Sequence, residues 1–245
     1  MSELDFFIKN NRLFSQIGRA EVESLCARRH PFKYRKDELI FMHGDPSDTM
    51  YFLGLGLVRL SKLSYDGRKF TLDIVEPGGF FGELCLAGET ERRSIAEAAE
   101  DVSGFEIKKA VFERYLIKRP EVAIKLIKII SDKRIEMENI LEDMIFMDVE
   151  SRVVSLLLKY TEGGTVKLPL THQEIADMTG TTRVSASRAI VTLRKRGLID
   201  TNGHRIVLTN ENKLREMLQH SSNGKSGKPA CATEAASERQ PKFSR

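Results

Sequence analysis

The chain has 245 residues, enough for about two domains with separate cores, and no apolar run in it approaches the roughly 20 residues that span a bilayer. The start MSELDFFIKNNRLF lacks the apolar core of a secretory signal, and the three cysteines, Cys26, Cys85 and Cys231, form no CxxC pair. Reduced thiols in a cytoplasmic protein are therefore expected, with no zinc or iron–sulfur cluster held within one chain. The net charge of +4 is local: residues 149–220 hold eleven basic against seven acidic side chains, whereas residues 1–148 hold 23 against 26. That division points the C-terminal part towards a polyanion.

Residues 1–118 read as one β-rich domain. Strand-like runs at Glu38–Phe41, Thr49–Leu53, Leu57–Leu63, Lys69–Val75, Ser94–Ala98 and Val102–Ile107 are separated by Gly44-Asp45, Gly54-x-Gly56, Asp66-Gly67 and Pro77-Gly78-Gly79. Regular spacing of this kind favours a small barrel or sandwich. In the longer insertion from Gly82 to Arg93, the run Gly82-Glu83-Leu84-Cys85 is followed by Arg92-Arg93-Ser94. A glycine-opened turn with free N–H groups, joined by a guanidinium and a hydroxyl, suits a phosphate, although Gly-Glu and Arg-Arg pairs are common in ordinary surface loops.

Residues 119–148 predict a long helix with Pro120 near its first turn. Ala123, Ile130, Met137 and Met144 repeat at one heptad position, and Leu126, Lys133, Ile140 and Met147 at another, so that seven of the eight are apolar. The repeat predicts a coiled-coil homodimer. Ile127, Ile129, Leu141 and Ile145 broaden the stripe, as expected if a second edge packs on the β-domain.

Residues 149–220 carry the order of a winged helix-turn-helix. Thr171 and Glu174 have the spacing of a reciprocal capping pair, Gly180 suits a chain reversal, and Thr182 can cap a second helix. In that second helix Val184, Ala186, Ile190, Val191 and Leu193, with Leu198 beyond it, supply apolar contacts, leaving Arg183, Ser187, Arg188, Arg194, Lys195 and Arg196 for solvent or phosphate. The turn Thr201-Asn202-Gly203-His204 then joins two short strands as a wing. From Arg183 to Arg205 there are six basic residues against Asp200 alone, a footprint suited to DNA phosphates. Residues 221–245 contain no Ile, Leu, Val or Met and are expected to be disordered. The five histidines are scattered and no nucleophile–base pair or metal-ligand set is visible, so no catalytic or metal-binding residue is assigned.

Together, Pro77-Gly78-x-Phe80-Phe81-Gly82-Glu83-Leu84 leading to Arg93-Ser94, the Phe146-Met147-Asp148-Val149-x-x-Arg152 junction, and the helix-turn-helix with its wing resemble transcription regulators of the Crp/Fnr superfamily over roughly residues 10–218. The resemblance implies an α+β chain: an N-terminal β-roll, jelly-roll-like, sensing a small effector, a long dimerisation helix, and a C-terminal winged helix-turn-helix. It implies a homodimer that binds an inverted-repeat operator in double-stranded DNA, engages RNA polymerase, and is not an enzyme. If the effector is a cyclic nucleotide, the resemblance implies that Glu83 holds a ribose hydroxyl, Arg93 and Ser94 the phosphate, and backbone from Gly82 through Leu84 to Cys85 the rest of the cradle. The family's adenine-contacting pair falls on Met137 and Glu138. Haem, nitric oxide, an aromatic acid or a thiol oxidant are effectors of other family members, and a regulatory subunit of an enzyme is a further reading of the same sensor. The residues expected at the DNA are Thr171, Thr182, Arg183, Val184, Ser185, Ser187, Arg188, Arg194, Lys195 and His204; of these the resemblance matches Arg183, Val184 and Arg188 to the family's recognition-helix residues, with Val184 standing where relatives carry a glutamate.

Overall fold

The structure is a computed structural model that describes Leu13, residues 30–202 and residues 205–223. Two four-stranded antiparallel sheets face each other in the N-terminal part. One has the order β1 (His30–Tyr34), β8 (Val102–Lys108), β3 (Thr49–Leu55) and β6 (Phe80–Phe81). The other has β2 (Leu39–Phe41), β7 (Ile95–Ala98), β4 (Val58–Leu63) and β5 (Lys69–Val75). The run TMYFL of β3 is buried throughout because both of its faces are covered. Tyr51 and Leu53 join Phe81, Val58 and Ala96 in one cluster, while Met50 and Phe52 join Phe105, Ile107 and Phe112 in a second. Strand alternation thus divides one apolar run between two cores.

β1 is absent from the sequence reading, and its composition explains why. It contains Pro31, which a ladder tolerates at an edge, and β1 is the edge strand. Only Phe32 of its five residues is buried, so the alternation that marks a strand is faint.

Two helices follow, α1 (Lys109–Lys118) and α2 (Pro120–Phe146), the second with proline in its first turn as expected. Met147 is extended, and Asp148 then caps α3 (Val149–Lys159) by accepting from the Ser151 N–H at 2.8 Å. β9 (Thr161–Glu162) and β10 (Thr165–Val166) come next, then α4 (His172–Thr179), α5 (Arg183–Lys195), β11 (Ile199–Asn202), β12 (Arg205–Leu208) and α6 (Glu211–Asn223). The wing is part of a four-stranded sheet ordered β11-β12-β10-β9 rather than an isolated hairpin. Gly163 and Gly164, at φ 58° and 80°, supply the tight reversal that brings β9 back beside β10. α6 places Leu214 in the core of this domain and runs three residues into the stretch expected to be a disordered tail. Residues 224–245, Gly203 and His204 lie outside the described residues.

The C-terminal domain is clasped to the outer face of the β-roll. Ile74 of β5 belongs to the same buried cluster as Val153, Leu157, Ile175 and Ala176. Beside it the Arg59 guanidinium bridges Glu97 of β7, at 3.5 Å, and Glu174 of α4, while Lys69 pairs with the other oxygen of Glu97. The side chains of Arg59 and Glu97 are only 11% and 16% exposed, so this network is partly desolvated.

Candidate effector cavity and nucleic-acid interface

A cavity of about 210 Å³ opens between the β-roll and α2. Its wall includes Gly82, whose φ of 80° lies in the left-handed region, and the first two residues of the short 3₁₀ turn Glu83–Ala87. A side chain at Gly82 would meet the Arg92 guanidinium at 2.6 Å and the Thr49 carbonyl at 3.0 Å, so both backbone conformation and space require glycine. Gly82, Glu83, Leu84, Arg93, Ser94 and Met137 all line the cavity, which brings together six of the eight residues expected there.

The side chains of the remaining two, Cys85 and Glu138, lie off the cavity. Cys85 is fully buried in the second β-roll core beside Phe52, Phe80 and Phe112, and does not line the cavity. Burial pushes its thiol up, against a weaker downward pull from Arg92 and Lys109. Glu138 is exposed and pairs with Arg134 one helical turn away at 2.9 Å. The α2 residues on the cavity are Lys133, Glu136, Met137 and Ile140. These follow the i, i+3, i+4, i+7 spacing of one helix face, and residue 138 lies about 100° round from 137. Glu136 shares the face because it lies three residues after Lys133 and four before Ile140, neither of which the sequence alone places at the cavity.

The cavity is polar at both ends. At one end Arg93 is largely exposed and its Nε lies 2.8 Å from Glu89, while Arg92 is buried behind the cradle. The Arg92 guanidinium donates to the carbonyls of Thr49 at 2.7 Å and Gly82 at 3.3 Å and stacks over Phe41 at 4.4 Å. At the other end Lys133 meets Asp73 at 3.2 Å and donates to the Phe80 carbonyl at 3.3 Å. Burial pulls the Lys133 ammonium down, but Glu83 and Asp73 outweigh it and hold the group above the ordinary lysine range. Sequence reasoning missed Asp73 and Arg92. The strand run containing Asp73 shows no clean alternation, and nothing local in an Arg-Arg pair says that its first member is the buried one.

Lys133 thus faces its own β-roll, and so does Leu126, which is 5% exposed and packed with Phe112 and Val122. Ile140 also turns towards its own chain, lining this cavity and a smaller one of about 60 Å³ beside α3. Met147 is extended backbone at the helix end. The apolar side chains that α2 leaves exposed include Ile127 at 62%, Ile130 at 40% and Leu141 at 53%. Residues 127, 134 and 141, each one position after 126, 133 and 140, are exposed, about 100° round the helix from them. Of the other expected seam residues, Ile130 is exposed, Ala123 and Met137 are half-buried, and the Met144 methyl would stand 2.9 Å from a Cβ placed at Gly180 of its own chain.

The helix-turn-helix is built as its capping residues dictate. The Thr171 hydroxyl accepts from the Glu174 N–H at 3.2 Å, the Glu174 carboxylate accepts from the Thr171 N–H at 2.7 Å, and Gly180 ends α4 in the left-handed region. Thr182 caps α5 by accepting from the Ser185 N–H at 3.2 Å. Ala186, Ala189, Ile190 and Leu193 form the buried face of α5. Val184 and Val191, read from sequence as inner contacts, are instead exposed at 59% and 37%, on the outer stripe with Arg188 and Lys195. Ser187 lies 2.8 Å from His172 Nδ1, which fixes α4 against α5, and Arg194 reaches Thr201 of the wing at 3.4 Å. Arg183, Arg188, Arg194, Lys195 and Arg196 are all exposed, a cationic surface flanking the two valines.

Comparison with known proteins agrees with both parts. The family model of the cyclic nucleotide-binding domain matches residues 31–119, and that of the Crp-like helix-turn-helix domain matches residues 151–217. The CRP-like cAMP-activated global transcriptional regulator of Mycobacterium tuberculosis is 26% identical over 219 residues, covering 86% of this chain and 98% of the relative. The global nitrogen regulator of Synechococcus elongatus is 31% identical over 188 residues, covering 73% of this chain and 85% of the relative. Among solved structures, FixK2 from Bradyrhizobium japonicum superposes with a TM-score of 0.70 at 30% identity, over 77% of this chain and 96% of that one. The chain belongs to the Crp/Fnr family of DNA-binding transcription regulators.

Proposed function

We propose that this regulator works as a homodimer on an inverted-repeat operator, and that a small anionic effector in the cavity sets its DNA affinity. The observation that carries the reading is the cavity's construction: Glu83, Arg93 and Ser94 of the β-roll and Met137 of α2 line one space. A ligand there touches both the sensor and the helix that leads to the DNA-binding domain. It biases the DNA-competent arrangement by the difference in its affinity for the two arrangements. The effector class best supported is a cyclic nucleotide, in keeping with the matched sensor family and with the cAMP-activated relative from M. tuberculosis. Arg93 and Ser94 would take its phosphate. Glu136 and Asp73, in place of Met137 and Glu138, would accept from a donor group at the α2 end.

In the proposed dimer Ala123, Ile127, Ile130, Met137, Leu141 and Met144 of two parallel α2 helices meet, with the Arg134–Glu138 pairs at the seam's middle. Two recognition helices about one turn of DNA apart then read the two half-sites, and RNA polymerase is the machinery such an occupied operator admits or blocks. The burial of Cys85 argues against a thiol-oxidation sensor at that position. Calorimetry with cyclic AMP and cyclic GMP on the full chain tests the effector class. Binding that Arg93→Ala weakens is expected, and failure of both nucleotides to bind would sink the cyclic-nucleotide reading.

A further inference from the structure

We infer that Val184 is the base-reading residue that sets this protein's operator preference, by packing against the C5-methyl group of a thymine. The inference rests on the DNA-binding role of α5. Val184 is 59% exposed and Val191 37% exposed on a helix whose other outward side chains include Arg183, Arg188 and Lys195. Ala186, Ala189, Ile190 and Leu193 fill the inner face, so the two valines lie outside the buried core of the domain. The charges around them call for a polyanion, and the valines for an apolar contact inside it. A DNA major groove presents one such group, the thymine methyl.

Position on the helix supports the assignment. Thr182 caps α5, which makes Val184 the second residue of its first turn, and the first turn of a recognition helix is the part that enters the groove. Arg188 follows one turn later on the same stripe and can take O6 and N7 of a guanine with its two-pronged donor set. Val184 has neither a donor nor an acceptor, so it cannot select a cytosine amine or a guanine edge. The expected half-site therefore has an A·T pair at the base Val184 meets, beside a G·C pair read by Arg188.

Selection of full-length protein against a random duplex library, followed by binding to the selected duplex with deoxyuridine in place of single thymines, tests this. At the Val184 contact the missing methyl should weaken binding about fourfold, the equivalent of ~0.8 kcal/mol for one buried methyl group. Val184→Ala should be indifferent to the same replacement, and Val184→Glu should move the selected pair to G·C. A strict G·C requirement at that position in the unmodified protein, or equal binding of thymine and deoxyuridine duplexes, would overturn the methyl contact while leaving the regulator reading intact. Enrichment of no duplex at all would overturn the DNA-binding reading itself.

Discussion

Arg92 and Arg93 are adjacent in sequence and opposite in role. Arg93 is exposed on the cavity rim, so Arg93→Ala should leave the fold intact and lower effector affinity by about 1.5–3 kcal/mol, the usual value of a hydrogen bond to a charged partner. Arg92→Ala removes the donors that hold the Thr49 and Gly82 carbonyls and should cost about 3 kcal/mol of stability. Thermal unfolding beside effector calorimetry separates the two: a stable Arg92→Ala protein would show that the guanidinium does not support the cradle. Cys85 gives a second check at this scale. With its thiol buried and its pKa raised, alkylation of the native protein followed by peptide mass analysis should leave Cys85 unlabelled, and Cys85→Ala should retain regulation. Rapid labelling of Cys85 in folded protein would contradict its place in the core. The motif residues Gly82, Glu83, Arg93 and Ser94 were legible because their chemistry is local. Asp73, Lys133 and Glu136 were not, since what brings them to the cavity is the packing of α2 on β5.

Helix faces decide the outcome at the level of elements. Leu126 and Leu141 occupy the same long helix, yet one supports the β-roll and the other faces outward. Leu141→Asp should therefore weaken dimerisation by several kcal/mol and leave the monomer folded, whereas Leu126→Asp should unfold the sensor. Sedimentation and circular dichroism distinguish these outcomes, and a Leu141→Asp protein that remained dimeric would move the seam elsewhere. The heptad repeat made α2 legible, but it could not say which of two adjacent apolar stripes faces the β-roll. Strands β1 and β6 and helix α6 escaped notice for other reasons. An edge strand with proline, a strand of two residues, and a polar helix anchored by Leu214 carry little periodic signal, and neighbouring elements hold them in place.

Glu174 links the element to the whole molecule, serving at once as capping partner of Thr171 and as the C-terminal domain's hold on Arg59. Burial pushes its carboxyl up, but the hydrogen bonds from Thr171 and the charge of Arg59 outweigh this and leave it below the usual carboxylate range. A carboxylate depressed in the folded state stabilises at pH above its unfolded value, and the contribution is lost as pH falls through the folded value. Glutamine can still close the capping box, so Glu174→Gln removes the clasp's charge without the cap. Hydrogen exchange in α4 should be faster in this variant at neutral pH, by a factor matching about 1.5 kcal/mol, and the difference should vanish in acid. Equal exchange at neutral pH would show that Arg59 does not hold the domains together.

At the scale of the whole molecule, sequence order alone indicated a β-domain, a long helix and a winged helix-turn-helix, because each has its own periodicity and punctuation. How the C-terminal domain sits on the β-roll was not readable, since Ile74, Arg59 and Glu174 come from segments far apart in the chain and no local pattern connects them. Occupancy of the cavity between Arg93 and Glu136 is proposed to set affinity for DNA. The most direct measurement is fluorescence anisotropy of a library-selected inverted-repeat duplex, titrated with the full chain in the absence and presence of saturating cyclic AMP, for the unmodified protein and for Arg93→Ala. A change in duplex affinity of about tenfold, some 1.4 kcal/mol of coupling, is expected in the unmodified protein and none in the variant. Identical duplex affinity with the nucleotide demonstrably bound would contradict the proposed link between cavity and operator.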